Sequence, residues 1–466
     1  MKPNTMRSKQ RGQAMALSLM LMSLALMSVL YSFNTTKVNL NATKLQNTAD
    51  NTAYSVATFA ARDFNFKAYT NRASVANQVA IAQMVGLSSW FNMTDQFAQN
   101  ACTTLCWVPY LGQVLAGIEK AVGTINQVAQ PVFEGLIYAE DAILWTLSSS
   151  QQVIHYAGMA SSIESAGKVV KANDSDARLD LAQNPLLFVD VKDTWISFQK
   201  RHSRNPKSKE TQFKDFIGVT LASRDPFSKN RTYKLGGIWS MTVFPIRWKT
   251  QKTGGSDLIA YDNRQAESWT SMDTISFHLS KFRCSWSGCR WRGYREIPLG
   301  WGSTSSDDRA NIPREGDRQT WGSSRRINRT ASRYAGYAQE TRGDYNGVRP
   351  FFGLSSSANK KSQTDNIAIV VSKKRNNVGT SSSVQLVGDG LNPAKDEEML
   401  GNRMTALATA QAYYSRPKDL MQITSSWARR DGRHEYGNLY NPFWQTRLTD
   451  STNGERSTVL ALTRML

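Results

Sequence analysis

From Ala14 to Phe33 the chain reads AMALSLMLMSLALMSVLYSF, without one charged side chain. As a helix rising about 1.5 Å per residue, this run covers roughly 30 Å, the thickness of a bilayer's hydrocarbon core. Lys2, Arg7, Lys9 and Arg11 precede it with no acidic residue among them. The positive-inside bias would then hold residues 1–13 in the cytoplasm and send Asn34 onward across the membrane. A cleaved secretory signal is the competing reading, but its apolar region would be unusually long, and no small-x-small site falls around Tyr31 to Asn34. A retained single span over 14–33 is therefore expected. No later run repeats it, and 40% hydrophobic residues with a mean hydropathy of -0.45 suit a soluble exported body, not a multi-spanning transporter.

Beyond the span the helical pattern continues. Val38, Ala42, Leu45, Ala49, Thr52, Val56, Phe59, Asp63 and Phe66 recur at spacings of four and three, and between Ala14 and Ser89 only Gly86 could interrupt a helix. Small residues in the stripe favour close packing on a second helix, with Val38, Leu45, Val56, Phe59 and Phe66 as packing residues. A candidate for that second helix lies in the same chain: Leu111, Leu115, Ile118, Val122, Ile125, Ala129, Val132, Leu136, Ala139 and Ile143 keep the same rhythm, with a kink expected at Pro131. A helical hairpin over 34–172 is the simplest account. Whether the first stripe meets its own chain or a partner is open at this level.

After about residue 172 the texture turns to short β-branched and aromatic runs between Gly, Ser and Asn clusters: Leu186 to Val191, Ile238 to Trp248, Thr274 to Phe282, Ile367 to Val371 and Val384 to Val387. The fold class expected is α+β: a long N-terminal helix and helical hairpin, then a β-rich exported domain over 173–466. A helix is expected to return over Lys395 to Tyr414, where Pro393 and three acidic residues mark its start. The stretch 303–347, rich in Arg, Ser, Gly and Asp, reads as a flexible insertion.

Four cysteines form two local pairs, Cys102 with Cys106 and Cys284 with Cys289. In an exported chain an even number reads as disulfides, and close spacing suggests these two bonds among the three pairings four cysteines allow. The spacing is wrong for a four-thiolate zinc site. No other metal motif and no cofactor loop stands out. His155, His202, His278 and His434 are scattered, His278 reads as a satisfied strand residue, and no nucleophile can be paired with a base. The chain is read as non-catalytic, without cofactor or metal.

In a chain of net charge +20, arginines gather around the second cysteine pair and in the stretch after it. Arg290 and Arg292 stand beside Trp286 and Trp291, and Arg325, Arg326 and Arg329 follow. Guanidinium groups and aromatic faces suit anionic ligands such as lipid headgroups or surface polysaccharide, whereas an exported location argues against nucleic acid. A solvated basic loop, partly neutralised by Asp307, Asp308, Glu315 and Asp317, is the plainer reading.

Arg11-Gly12-Gln13-Ala14 leading into the apolar run, with Leu45-Gln46-Asn47-Thr48-Ala49-Asp50 some thirty residues on, resembles the N-terminal region of TadG-like and related Flp (tight-adherence) pilus-assembly proteins. Tyr334-Ala335-Gly336-Tyr337, Arg349-Pro350-Phe351-Phe352, and the stretches from Ala412 to Pro417 and from Asn441 to Leu448 are similar to the longer members. The resemblance implies an inner-membrane, single-pass component of a pilus-assembly or secretion system. Its body would be periplasmic, and pilus subunits, or further copies of itself, would be its partners. The metal-dependent adhesion motif of larger members is missing. Prepilin-type cleavage between Gly12 and Gln13 would place Leu17 where pilins usually carry Glu, which argues against a major pilin and leaves a minor-pilin or adhesin role as the alternative.

Overall fold

The computed structural model describes residues 11–179, 184–203, 211–261, 266–310, 326–358, 360–378, 402–416 and 435–465. The fold is α+β, with a long apolar N-terminal helix and a β-rich C-terminal region. Helix α1 (Arg11–Leu105) runs for 95 residues and holds an 18-residue window of mean hydropathy 2.0, none of it buried, so it is long and apolar enough to cross a membrane. Helix α2 (Leu111–Asn173) follows after a turn. The Cys102 and Cys106 sulfurs are at bonding distance where α1 ends, and Trp107 and Tyr110 project from the turn.

The chain divides into two compact units, each assembled from separated stretches. One comprises residues 1–66, 153–200 and 354–466; the other, 67–152 and 201–353. A linear division at residue 172 does not describe this arrangement, because α1 and α2 each contribute to both units.

In the first unit, β1 (Ala177–Arg178), β9 (Ile367–Lys374), β10 (Arg403–Tyr414) and β11 (Trp444–Thr449) form an antiparallel sheet in the order β1-β9-β10-β11. Strand β10 replaces the helix expected to end at Tyr414, and residues 395–401 of that expectation lie outside the described residues. Its run Ala-Leu-Ala-Thr-Ala favours helix intrinsically, but pairing with β9 on one side and β11 on the other overrides a preference worth only tenths of a kcal/mol per residue. The small side chains also let α1 lie close: Leu45 and Ala49 are buried, and Gln46 Nε2 donates to the Leu407 carbonyl at 3.1 Å. The segment from Leu45 to Asp50 is thus the seam between helix and sheet. Leu186 to Val191, expected as a strand, is helix α3 (Pro185–Lys192), where Pro at the first turn and burial of Leu187 and Val191 on one side fit a helix. Asn184 hydrogen-bonds both the N–H and the carbonyl of Val370 at 2.7 and 2.8 Å, seating α3 on β9. The expected strand Val384 to Val387 lies outside the described residues.

The second unit is built on a five-stranded sheet in the order β3-β4-β5-β6-β7: β3 (Tyr233–Val243), β4 (Ile246–Tyr261), β5 (Ala266–Ser285), β6 (Gly288–Ser305) and β7 (Gln339–Thr341). The first four are antiparallel and β7 joins β6 in parallel. Two glycines let β6 cross α1: a Cβ at Gly300 would fall 2.6 Å from the Met93 carbonyl oxygen, and one at Gly302 would fall 2.4 Å from that of Ser89. Stretch 303–347 is not a flexible insertion over its described part. Ser303 to Asp307 and Tyr345 are buried, and a short helix at Arg329–Tyr337 packs on β5 and β6. The Ser and Thr hydroxyls that made it look solvent-seeking are bonded inward, Ser303 to the Ala335 carbonyl and Thr304 to Ser88. Residues 311–325 lie outside the described residues.

The helical seam reverses the expected faces of α2. Its apolar stripe is turned outward: Leu111, Ile118, Ile125 and Val132 are 46 to 55% exposed. Toward α1 it presents Asn126, Gln130 and Gln151. Gln130 Nε2 donates to Asn92 Oδ1 at 2.8 Å, Asn126 Nδ2 to the same oxygen at 3.1 Å, and Gln151 to Thr70 and Asn71 at 2.8 and 2.7 Å. A buried amide is costly only when unpaired; here α1 supplies matching Asn, Ser and Thr, so these amides share the inner face with the buried Phe133, Ile137 and Leu144.

Candidate functional site

The tip of the β5–β6 hairpin gathers the arginines singled out around the second cysteine pair. Cys284 and Cys289 face each other in register with their sulfurs at bonding distance, and Gly288, at φ of 111°, closes the turn in a conformation open to glycine. Next to this staple, Arg283 lies directly opposite Arg290, and Lys281 opposite Arg292. Residues paired across an antiparallel ladder and two apart along a strand share a face. All four cations therefore form one strip, about 5 Å apart across the strands and about 7 Å along them. They are exposed, and none makes an ion pair among the described residues. Like charges directly opposed on a sheet are unfavourable. A strip of this kind favours an anion that bridges it.

The same face carries apolar groups from the adjoining strands. Across the sheet the register aligns Val243, Ile246, Lys281 and Arg292 in one row, and Met241, Trp248, Leu279 and Arg295 in the next. Val243 is 55% exposed and Met241 42%. On the opposite face Phe282 packs between Phe244 and Trp291 at 5.4 and 5.3 Å, with the Arg247 guanidinium 5.2 Å from the Trp291 ring. The Phe282 N–H donates to the Pro245 carbonyl at 2.9 Å, which holds the β3–β4 turn beside the projecting hairpin. Phe244, 73% exposed, and Trp286, fully exposed, crown the two turns.

The other arginines do not join the strip. Arg326 and Arg329 flank Asn328, whose side chain bonds His278 Nε2 at 2.8 Å and the Gln251 and Thr274 carbonyls, placing them at mid-strand. Arg325 lies outside the described residues. The Asn328 contact gives His278 a structural partner.

Of the five helix-packing residues, Leu45 and Val56 are fully buried, whereas Val38, Phe59 and Phe66 are half-buried. From Leu45 onward their surface is covered by the same chain: Phe64, one turn past Ala60, stacks with Phe198 at 5.6 Å and meets Trp444 edge-on at 4.7 Å. Gly12 and Gln13 lie in the first turn of α1.

Two arrangements have no local sequence signal. Lys281 and the apolar Val243 and Ile246 come to the arginines through strand register alone. Inside the second unit, Asp273 accepts Arg231 at 2.9 and 2.7 Å and Lys252 as well. Burial would push the Asp273 carboxyl up, but the two cations hold it down at about 2. Burial pushes the Lys252 ammonium in the opposite sense, below its ordinary value. Arg231 is also fixed by Ser271 and the Phe227 carbonyl, and the cluster is enclosed, so its role is structural. No group of His, Cys, Asp and Glu able to hold a metal occurs among the described residues.

No family model, curated protein or solved structure matches the chain.

Proposed function

We propose that the protein is a non-catalytic, membrane-anchored component of a tight-adherence (Flp, type IV-like) pilus-assembly or secretion system, with its N-terminus cytoplasmic and its body periplasmic. The observation that carries the reading is the continuity of α1. One helix begins as a bare apolar segment, 45 to 70% exposed at most of its large side chains, and becomes a packed element of a folded body from Leu45 on. An exposed apolar run of this length is unfavourable in water and favourable in hydrocarbon. The sulfurs at bonding distance suit an oxidising compartment. Because the α1 stripe is covered by its own chain from Leu45 on, the surface left for other subunits is the outer face of α2, whose heptad spacing fits a helix of the same period.

Fractionation of cells, alkaline washing of membranes and N-terminal sequencing test the anchor. The protein is expected in the washed membrane with residues 14–33 retained. A mature start at Gln13, with recovery in sheared pili, would replace the assembly role by that of a pilin.

A second reading, an adhesin-like module for anionic ligands, is favoured by one observation, the opposed Lys281–Arg292 and Arg283–Arg290 pairs.

A further inference from the structure

We infer that the free end of the five-stranded sheet, the β3–β4 turn together with the disulfide-closed β5–β6 hairpin, is a docking surface for an anionic phospholipid bilayer. This rests on the second reading above and names its ligand. The discriminating feature is the company the cations keep. A sulfated or uronic polysaccharide, or a nucleic acid, would use the cationic strip and could stack on Trp286. It would gain nothing from Val243, Ile246 and Phe244, which stand exposed at 55, 38 and 73% at the same end. Aliphatic and aromatic groups bordered by cations at one end of a sheet suit the headgroup boundary of a membrane: with the hairpin lying along the surface, Val243, Phe244, Ile246 and Trp286 reach the top of the acyl region while Lys281, Arg283, Arg290 and Arg292 meet lipid phosphates.

The geometry permits both contacts at once. The row Val243, Ile246, Lys281, Arg292 grades from apolar to cationic across four strands, and the hairpin carries Arg283, Arg290 and Trp286 beyond it. Tyr261 and Ala266, the last pair between β4 and β5, lie at the opposite end of the sheet, so the β3–β4 and β5–β6 turns share one end. The Cys284–Cys289 bridge ties the strands together next to the loop that would enter the headgroups.

The test uses the full chain, reconstituted through α1 into nanodiscs of zwitterionic lipid so that the helix is already occupied, then mixed with added vesicles and separated by flotation. Vesicles containing phosphatidylglycerol should carry the nanodiscs upward at low salt, and purely phosphatidylcholine vesicles should not. The Arg283→Gln, Arg290→Gln, Arg292→Gln variant should lower the partition roughly a hundredfold, given the attraction of each cation to an anionic surface. Val243→Ser with Phe244→Ser, which keeps Trp286 as the reporter, should lower quenching of tryptophan fluorescence by acyl-brominated lipid while thermal unfolding stays at the wild-type temperature. A soluble sulfated polysaccharide is the parallel arm. Binding of the polysaccharide without vesicle flotation would overturn the bilayer assignment and leave the anionic-ligand reading standing; binding of neither would overturn both. Flotation unchanged in both variants, with wild-type thermal stability, would also overturn the assignment.

Discussion

Asp273 shows how much a single carboxylate can matter inside the second unit. It is the only acid bonded to the buried Arg231 and Lys252 among the contacts described, so Asp273→Asn would leave two enclosed cations without a counter-charge. Breaking a buried pair in this way costs about 3 to 5 kcal/mol. Urea unfolding of this variant is expected to show a loss of that size, and a loss below about 1 kcal/mol would contradict the enclosed cluster. The sign of its pH dependence follows from the same bonds. The folded carboxyl titrates near 2, below its value in an unfolded chain, so its contribution is complete above about pH 4 and disappears only as the pH falls toward 2. Asp190, on α3, behaves oppositely. Burial raises it to about 6, opposed by the Ala368 N–H and assisted by Glu455, Asp193 and Asp365. The folded state then binds a proton more tightly than the unfolded chain, and stability falls as pH rises from about 4 to 6. Asp190→Asn, which keeps an acceptor for Ala368, should raise the melting temperature at pH 7 and change it little at pH 4; equal shifts at both pH values would contradict the assignment.

At the level of elements, the close crossing of β6 over α1 depends on two absent side chains. Gly300→Ala or Gly302→Ala places a Cβ under 3 Å from helix backbone, which has no flexible end to move aside. Overpacking of this kind costs about 1 to 3 kcal/mol, to be read from the denaturation midpoint of each variant. The outer face of α2 calls for the reverse experiment. Ile118→Gln with Ile125→Gln changes exposed positions, so intrinsic stability should move by less than about 0.5 kcal/mol each. Chemical cross-linking of the full chain in membranes to neighbouring subunits should nevertheless decline. Cross-linking at the wild-type level would remove this face from the assembly reading.

For the whole molecule, the interleaving of the two units has a direct consequence. Each unit needs strands or helices from distant parts of the chain, so residues 1–172 and 173–466 expressed separately should both fail to give a cooperative unfolding transition. Independent folding of either fragment would show that the linear division is the physical one. Much of the architecture was nevertheless legible beforehand. The uncharged run from Ala14, the continuous helix beyond it, the strands around Thr274 to Phe282 and Ile367 to Val371, and the arginines beside Trp286 follow from local hydropathy, spacing and composition. Those signals need no knowledge of what lies across from a residue. Tertiary pairing decided the rest. It made a strand of the alanine-rich stretch to Tyr414, buried Asn126, Gln130 and Gln151 of α2 while leaving Ile118 and Ile125 outside, folded hydroxyl-rich Ser303 to Asp307 inward, and brought Lys281, Val243 and Ile246 into line with Arg292. Each outcome depends on a partner supplied from tens to hundreds of residues away. The free energy of a buried polar group or an opposed charge is set by that partner, so no local window of sequence contains it.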